Sequence, residues 1–342
     1  MGCVPKSDKK TTQASRCAKG VSQTVHQIPK NRLCIVLFPH SGDEYLVRTS
    51  GQSPTAKISP NGGYDVYWNC SQNHYRRLVM MDERASSYID RKWRYHEKAE
   101  ERLCVWTEWE SITRADVIAK SSNPLDAHFF HQLKRPVSLV VAAKNPSKYY
   151  GKGNPSNAQN TDPCIFGDMF KYTICRQWYD PWLRELAQNA LIMFWSHKGN
   201  SFCLDTVFVV SGNPIDYITG ASSRIKCSRM YRNLTLDRLG HGSSATFYRG
   251  VPYDKCNPPP IYSFAPASIC SDTCNYARRC EFDAKDIAQL NAVIGNRFVN
   301  ANAHFRSKSV CCNLVTIQRV WRKLAELVFS KGFVLGVHFD WP

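Results

Sequence analysis

Two apolar runs, "ALIMFW" (190–195) and "VFVVSG" (207–212), lie on either side of the polar break His197-Lys198-Gly199-Asn200. Both have strand length, and the break supplies turn residues. The pattern predicts a β-hairpin closed by a four- or five-residue turn. No stretch approaches eighteen uncharged apolar residues, so the sequence predicts no transmembrane helix. Hydrophobic residues make up 43% of the 342 and aromatics 12%, enough to build a core of domain size. The chain reads as globular.

The charge balance bears on partners. The formal net charge is +17, and an excess of this size makes nucleic acid or another polyanion the expected partner. Residues 1–30 hold six Lys/Arg against Asp8 alone and show no periodicity, so they read as a disordered basic tail. The start "MGCVPKSDKK" has no apolar segment of a secretory signal. Gly2 and Cys3 ahead of Lys6, Lys9 and Lys10 resemble an acylated N-terminus. The myristoylation motif wants Ser or Thr where Lys6 stands, so the tail is read as unanchored. Fifteen cysteines at irregular spacing, with no signal peptide, predict reduced thiols and a cytoplasmic setting. The sequons at Asn69 and Asn233 are then accidental.

Residues 31–342 read as a single large α+β domain, with a candidate sub-boundary near 113–135. "RLCIVLF" (32–38) and "EYLVRT" (44–49) flank the turn signal Ser41-Gly42-Asp43 and predict a hairpin. Tyr64, Val66 and Trp68 alternate along a third strand. The helix formers and laced charges of 82–103 predict an exposed, salt-bridged helix. Strands follow at 103–111 and 136–143, then the long connection 144–163 with two Gly, three Pro and four Asn. A loop of that length points to a functional element. Asp180-Pro181 predicts an N-cap and N1 proline opening a helix over 181–190. Near the C-terminus Ile317, Val320, Trp321, Leu324, Leu327 and Val328 form one helical stripe, with Thr316 as cap and Gly332 just past the end. "FVLGVHF" should return to the sheet.

Four chemistries can be weighed. Cys256, Cys270, Cys274, Cys280, Cys311 and Cys312 cluster late in the chain, but only Cys270-x₃-Cys274 has zinc-ligand spacing. Buried free thiols are the better reading, and no metal or cofactor is expected. Glu108 and Glu110 share one face of a strand, and Asp162 and Asp168 flank a Cys-Ile-Phe-Gly turn. These four carboxylates are the candidate catalytic set, suited to acid–base work or Mg²⁺, although carboxylates also cap turns. No nucleophile or phosphate-loop motif occurs; His128 and His131 lack a third partner, and Cys164 and Cys175 read as core. Basic and aromatic residues interleave at Lys148, Tyr149 and Lys152 and again at Arg224, Lys226, Arg229 and Arg232. Charge for phosphates beside flat rings for bases is what a nucleic-acid surface requires. Arg176 and Gln177, delivered by a strand after the 162–168 turn, would face the same pocket or groove.

"VWTEWES" (105–111) and "NTDPCIFGDMFKYTICRQ" (160–177) resemble a family of uncharacterised, mostly bacterial proteins with W-G-E-W-E and N-T-D-P-x-x-F-G-D-x-F-x-Y-x-x-C-x-Q elements. Thr107 stands where that family has Gly, and Cys164 where it has an aromatic. The D-P and F-G elements ahead of "LIMFWS" are also similar to nucleotide-modification-associated domains. That likeness implies a PUA- or ASCH-like β-barrel that handles a base or nucleotide. The expected architecture is α+β, a mixed and largely antiparallel sheet or barrel with peripheral helices. The expected function is binding of nucleic acid or a nucleotide-like ligand, in base modification or defence. The alternatives are a metal-assisted hydrolase or transferase using the four carboxylates, and a non-enzymatic interaction protein.

Overall fold

The structure is a computed structural model, which describes residues 31–39, 43–44, 55–58, 64–67, 76–83, 86–97, 102–110, 114–117, 162–198, 201–220, 225–238, 242–270, 279–295, 299 and 307–340. The N-terminal strands are β1 (Cys34–Pro39), β2 (Asp43–Glu44), β3 (Thr55–Ile58), β4 (Tyr64–Tyr67), β5 (Arg76–Glu83), β6 (Ser87–Ile89), β7 (Tyr95–His96), β8 (Arg102–Glu110) and β9 (Arg114–Val117). The central part holds β10 (Lys171–Tyr172), β11 (Leu191–Lys198), β12 (Ser201–Val209), β13 (Ile215–Ile218), helix α1 (Arg229–Leu234) and β14 (Ser244–Arg249). The last part holds β15 (Ala265–Cys270), β16 (Cys280–Phe282), helix α2 (Ala284–Ile294), β17 (Lys308–Cys311), helix α3 (Leu314–Ser330) and β18 (Val334–His338). This is an α+β fold dominated by strands. Among the described residues the strands pair in four sets, ordered β16-β12-β11-β1-β17, β10-β14-β13, β2-β5-β8-β15-β18-β6-β7 and β3-β4-β9, with no closed barrel. No described helix is long and apolar enough to cross a membrane.

The apolar runs explain the centre of the molecule. β1 and β11 pair in parallel, Ile35 against Leu191 through Pro39 against Trp195. Successive side chains point to opposite faces, so an unbroken apolar run suits a strand covered on both sides. Val36, Phe38, Ile192 and Phe194 enter one core with Tyr172, Phe208 and Tyr248. Ile35, Leu37, Leu191, Met193 and Trp195 enter the other, where the stripe of α3 meets them. Asn313 caps α3 by accepting from the Thr316 N–H at 2.8 Å, so the helix begins before Thr316. Gly332 follows it in the left-handed conformation, φ 84°, and β18 returns to the sheet as the sequence suggests.

Several expectations fail locally. β1 forms no hairpin with the following strand: its neighbours are β11 and β17. The helix predicted over 82–103 is replaced by the end of β5, then β6 and β7. Ser86, Ser87, Tyr88 and Ile89 are all buried, and β6 pairs with β18, so tertiary pairing overrides propensity. Asp90 then makes a tight turn, accepting from the Lys92 and Arg94 N–H groups at 2.9 Å each. The helix predicted over 181–190 stops after a 3₁₀ turn at Pro181–Arg184, and Asp180 makes no side-chain cap. The β11–β12 loop is two residues long, since Lys198 pairs with Ser201. The basic tail 1–30 with Gly2 and Cys3, the strand predicted at 136–143, and most of the 144–163 connection lie outside the described residues.

One irregularity in the hairpin matters. Phe194 pairs with Thr206 and Trp195 with Leu204, so Asp205 is the extra residue of a β-bulge. Its side chain accepts from Ser196 Oγ at 2.6 Å and from Arg279 Nη2 at 2.7 Å, and Arg279 also donates to Ser196 Oγ. The Arg279 and Asp205 side chains are only 1% and 5% exposed. Removing one member of a buried pair strands the other charge, so Arg279→Met should destabilise the fold by about 3–5 kcal/mol. Arg279→Met with Asp205→Leu should recover much of that loss. Urea unfolding of both single variants and of the double variant checks both expectations; a double-variant loss equal to the sum of the two single losses would show that the pair is not coupled.

Candidate functional site

Residues 162–177 form a clasp. Asp162 is buried, and its carboxylate accepts from the backbone N–H groups of Thr173, Ile174 and Cys175 at 3.0, 2.7 and 2.8 Å. Cys164 and Lys171 exchange both backbone hydrogen bonds at 2.8 Å, closing the Ile165–Phe170 loop. Gly167 turns that loop at φ 87°, where a side chain would be strained, and its N–H donates to the Phe339 carbonyl. Lys171 is buried beneath it. Its ammonium reaches the carbonyls of Phe166 and Met169 at 3.0 and 2.6 Å and the exposed Asp168 carboxylate at 3.1 Å. β10 is only two residues long, so the stretch turns at 174–179 and does not run on as the predicted strand.

Gln177, expected at a pocket edge, is buried instead. Its amide donates to the Thr246 carbonyl at 2.8 Å and accepts from the Thr246 N–H at 2.7 Å, imitating one more residue of a strand. Arg176 is half-buried at φ 61°, with its guanidinium 5.9 Å from the Phe38 ring centre and Nη1 3.5 Å from Ser307 Oγ.

The candidate carboxylates have different surroundings. Asp162 and Asp168 hold the two halves of the clasp. Glu108 is buried on β8 of the seven-stranded sheet, and the Glu110 side chain lies outside the described residues. Among the described residues no three His, Cys, Asp or Glu side chains converge as a metal site. The side chains of Cys270 and Cys274 are not described; Cys256 and Cys311 are exposed, Cys312 is half-buried and Cys280 is buried. Nine described cysteines are free thiols. Cys104 is disulfide-bonded, an exception to the expectation of reduced thiols throughout.

Of the predicted binding residues, Lys148, Tyr149, Lys152 and Arg224 lie outside the described residues. Lys226 and Arg229 are exposed. Arg232, one helical turn after Arg229 on α1, donates from Nη2 to the Ile225 carbonyl at 2.9 Å.

An open groove of about 640 Å³ adjoins the clasp, lined by Met169, Gln188, Ser211–Pro214, Arg249, Gly250 and Pro252. Two segments form its walls, one leaving β12 and one leaving β14. The Ser211 N–H ties them by donating to the Arg249 carbonyl at 2.8 Å. Gly250 must be glycine, since a Cβ there would lie 2.6 Å from Ser263 Oγ and 3.1 Å from the Phe170 Cβ. Arg249 pairs with Lys171 across the β10–β14 ladder, so the two cations share a face. Directly opposed like charges repel. Asp168 and two carbonyls surround the Lys171 charge, whereas Arg249 has no carboxylate partner among the described residues. It contacts the Lys226 carbonyl at 3.4 Å and lies 5.9 Å from the Phe247 ring centre.

Sequence reading missed Arg249 and the groove. The cue available was the turn cluster Ser211-Gly212-Asn213-Pro214, but nothing in the spacing ties it to Arg249 nearly forty residues later.

Two expected outcomes follow from the clasp. Asp162→Ala removes a carboxylate that satisfies three N–H groups and should cost about 3 kcal/mol in denaturant unfolding, the range for hydrogen bonds to a charged group. Burial pushes the Cys164 thiol up to about 12, against the lowering effect of Lys171, and burial with nearby Cys311 does the same to Cys34. Both should stay protonated and unalkylated by iodoacetamide at pH 8 in the folded protein, while exposed Cys256 and Cys311 react. Peptide mass mapping reads this out; rapid labelling of Cys164 would show that the loop opens. No protein-family profile matches the chain, and neither a curated protein nor a solved structure gives a match.

Proposed function

We propose that this protein binds a nucleotide-like anion, free or within a nucleic acid, in the groove beside the 162–177 clasp. The observation that carries this reading is Arg249. A guanidinium without a carboxylate partner among the described residues lines a groove of about 640 Å³, a volume suited to a small ligand. Its planar fork matches phosphate or carboxylate oxygens. Lys226, whose carbonyl Arg249 contacts, and Arg229 are exposed cations, and the net charge of +17 favours capture of polyanions from a distance. The PUA- or ASCH-like likeness of the D-P and F-G elements supports the same ligand class.

The test is a titration of thymidine and adenosine monophosphates, single strands and duplexes at several salt concentrations. Binding should weaken with salt along a slope of several released ions for the polymers. Arg249→Gln should weaken it about tenfold, the size of one charged hydrogen bond. Gly212→Leu is a second probe. A Cβ at Gly212 meets only the Gln188 side chain at ordinary contact distance, 3.6 Å, so a longer side chain fills the groove without crowding the backbone. Unchanged affinity in both variants, or no binding at low salt, would sink the reading.

A further inference from the structure

We infer that the turn carrying Trp178 and Tyr179 is a stacking platform for unpaired bases, so that the polymer form of the ligand is single-stranded. This rests on the nucleotide-binding reading for its ligand class but on different residues for its evidence. Trp178 and Tyr179 are 55% and 86% exposed, although neighbouring aromatic side chains such as Tyr172 and Phe170 are buried. Exposed rings on a loose loop would mean little. These two sit on a turn fixed from several sides. The Asp162 carboxylate holds Thr173–Cys175 just before it, and the Gln177 amide anchors it to Thr246. The N–H groups of Tyr179 and Asp180 both donate to the Arg176 carbonyl, at 3.0 and 2.8 Å. A ring carried on a fixed backbone loses less entropy when a flat ligand stacks on it than one carried on a loose loop.

The surroundings are cationic. Arg176 reaches Ser307, the residue just before β17, and Arg32 reaches Ser309 within that strand at 3.4 Å. Arg32 also lies 5.4 Å above the half-buried Trp182 ring, and Lys308 is exposed between the two serines. Arg176 thus stands two residues before the open rings, and Arg32 and Lys308 lie along the chain segment that it reaches. Glu185, 3.8 Å from Arg32, is an opposing charge. Rings for bases flanked by cations for phosphates is the arrangement that binds single strands with little sequence preference, because every base offers a flat face. A duplex hides those faces within its own stack.

The test uses the full chain with labelled oligothymidylate, oligouridylate, the matching DNA duplex and thymidine monophosphate. Trp178→Ala/Tyr179→Ala should weaken binding of either single strand about tenfold or more, leaving duplex and monophosphate affinities unchanged. Trp178→Phe/Tyr179→Phe should retain most single-strand binding, because the rings remain. Oligothymidylate and oligouridylate distinguish DNA from RNA, and both belong to the proposed class. Single-strand affinity that is unchanged in the alanine variant overturns the inference. So does a fall in oligomeric state in that variant with nucleic-acid affinity intact, which would mean the rings cover a second copy of the chain. If the monophosphate binds through Arg249 but the alanine variant loses nothing, the groove reading survives and the platform fails. If Arg249→Gln and Gly212→Leu change nothing while the alanine variant loses single strands, the platform stands without the groove.

Discussion

Burial of both faces of the β1–β11 pair is the constraint on which the other layers depend. Each apolar side chain taken from water contributes roughly 1.5–3 kcal/mol. This pair contributes from two directions at once, since Val36, Phe38, Ile192 and Phe194 point one way and Ile35, Leu37, Leu191 and Met193 the other. Such strands cannot form the outer wall of a domain. They require cover on each side, α3 and β18 on one and the Tyr172–Tyr248 aromatic layer on the other. Tyr172 and Tyr248 stack at 5.8 Å, and Tyr172 also meets Phe38, Phe194 and Phe208 edge-on.

That aromatic layer links the core to the surface. Tyr172 is the last residue of β10, and its hydroxyl donates to the Cys175 carbonyl at 2.8 Å, so the core holds the start of the following turn. Asp162 and Gln177 secure the rest. The exposed rings and the groove are thus carried on backbone fixed by buried polar groups. Burying a carboxylate is costly unless its lone pairs are met, and here three N–H groups meet them.

How much of this was legible in the sequence depends on where each residue finds its partners. α3 could be read because its stripe repeats within seventeen residues and needs only one apolar neighbour. The β11–β12 hairpin could be read because its partners are adjacent. The 82–103 region could not: its helix formers are outvoted by β18, a partner about 250 residues away. The richness of 160–177 was visible, and its turn chemistry was anticipated at Asp162 and Asp168. That Gln177 would serve Thr246 was not, because nothing local marks a glutamine as a substitute strand. Arg249 lacked any signal, since its isolation from carboxylates is a property of three-dimensional neighbours.

The bulged Asp205 has a consequence for how the chain finds its fold. Slipping β12 by one residue against β11 would still pair apolar residues with apolar residues, so hydrophobicity alone discriminates weakly among alignments. The slipped alignment would turn Asp205 away from Ser196 and leave Arg279 sealed beside Trp106 without its anion. The charge acts as a check on alignment, penalising a mispaired hairpin that the apolar runs would tolerate. Arg279 arrives more than seventy residues after Asp205, so the check can operate only once β16 has docked on β12.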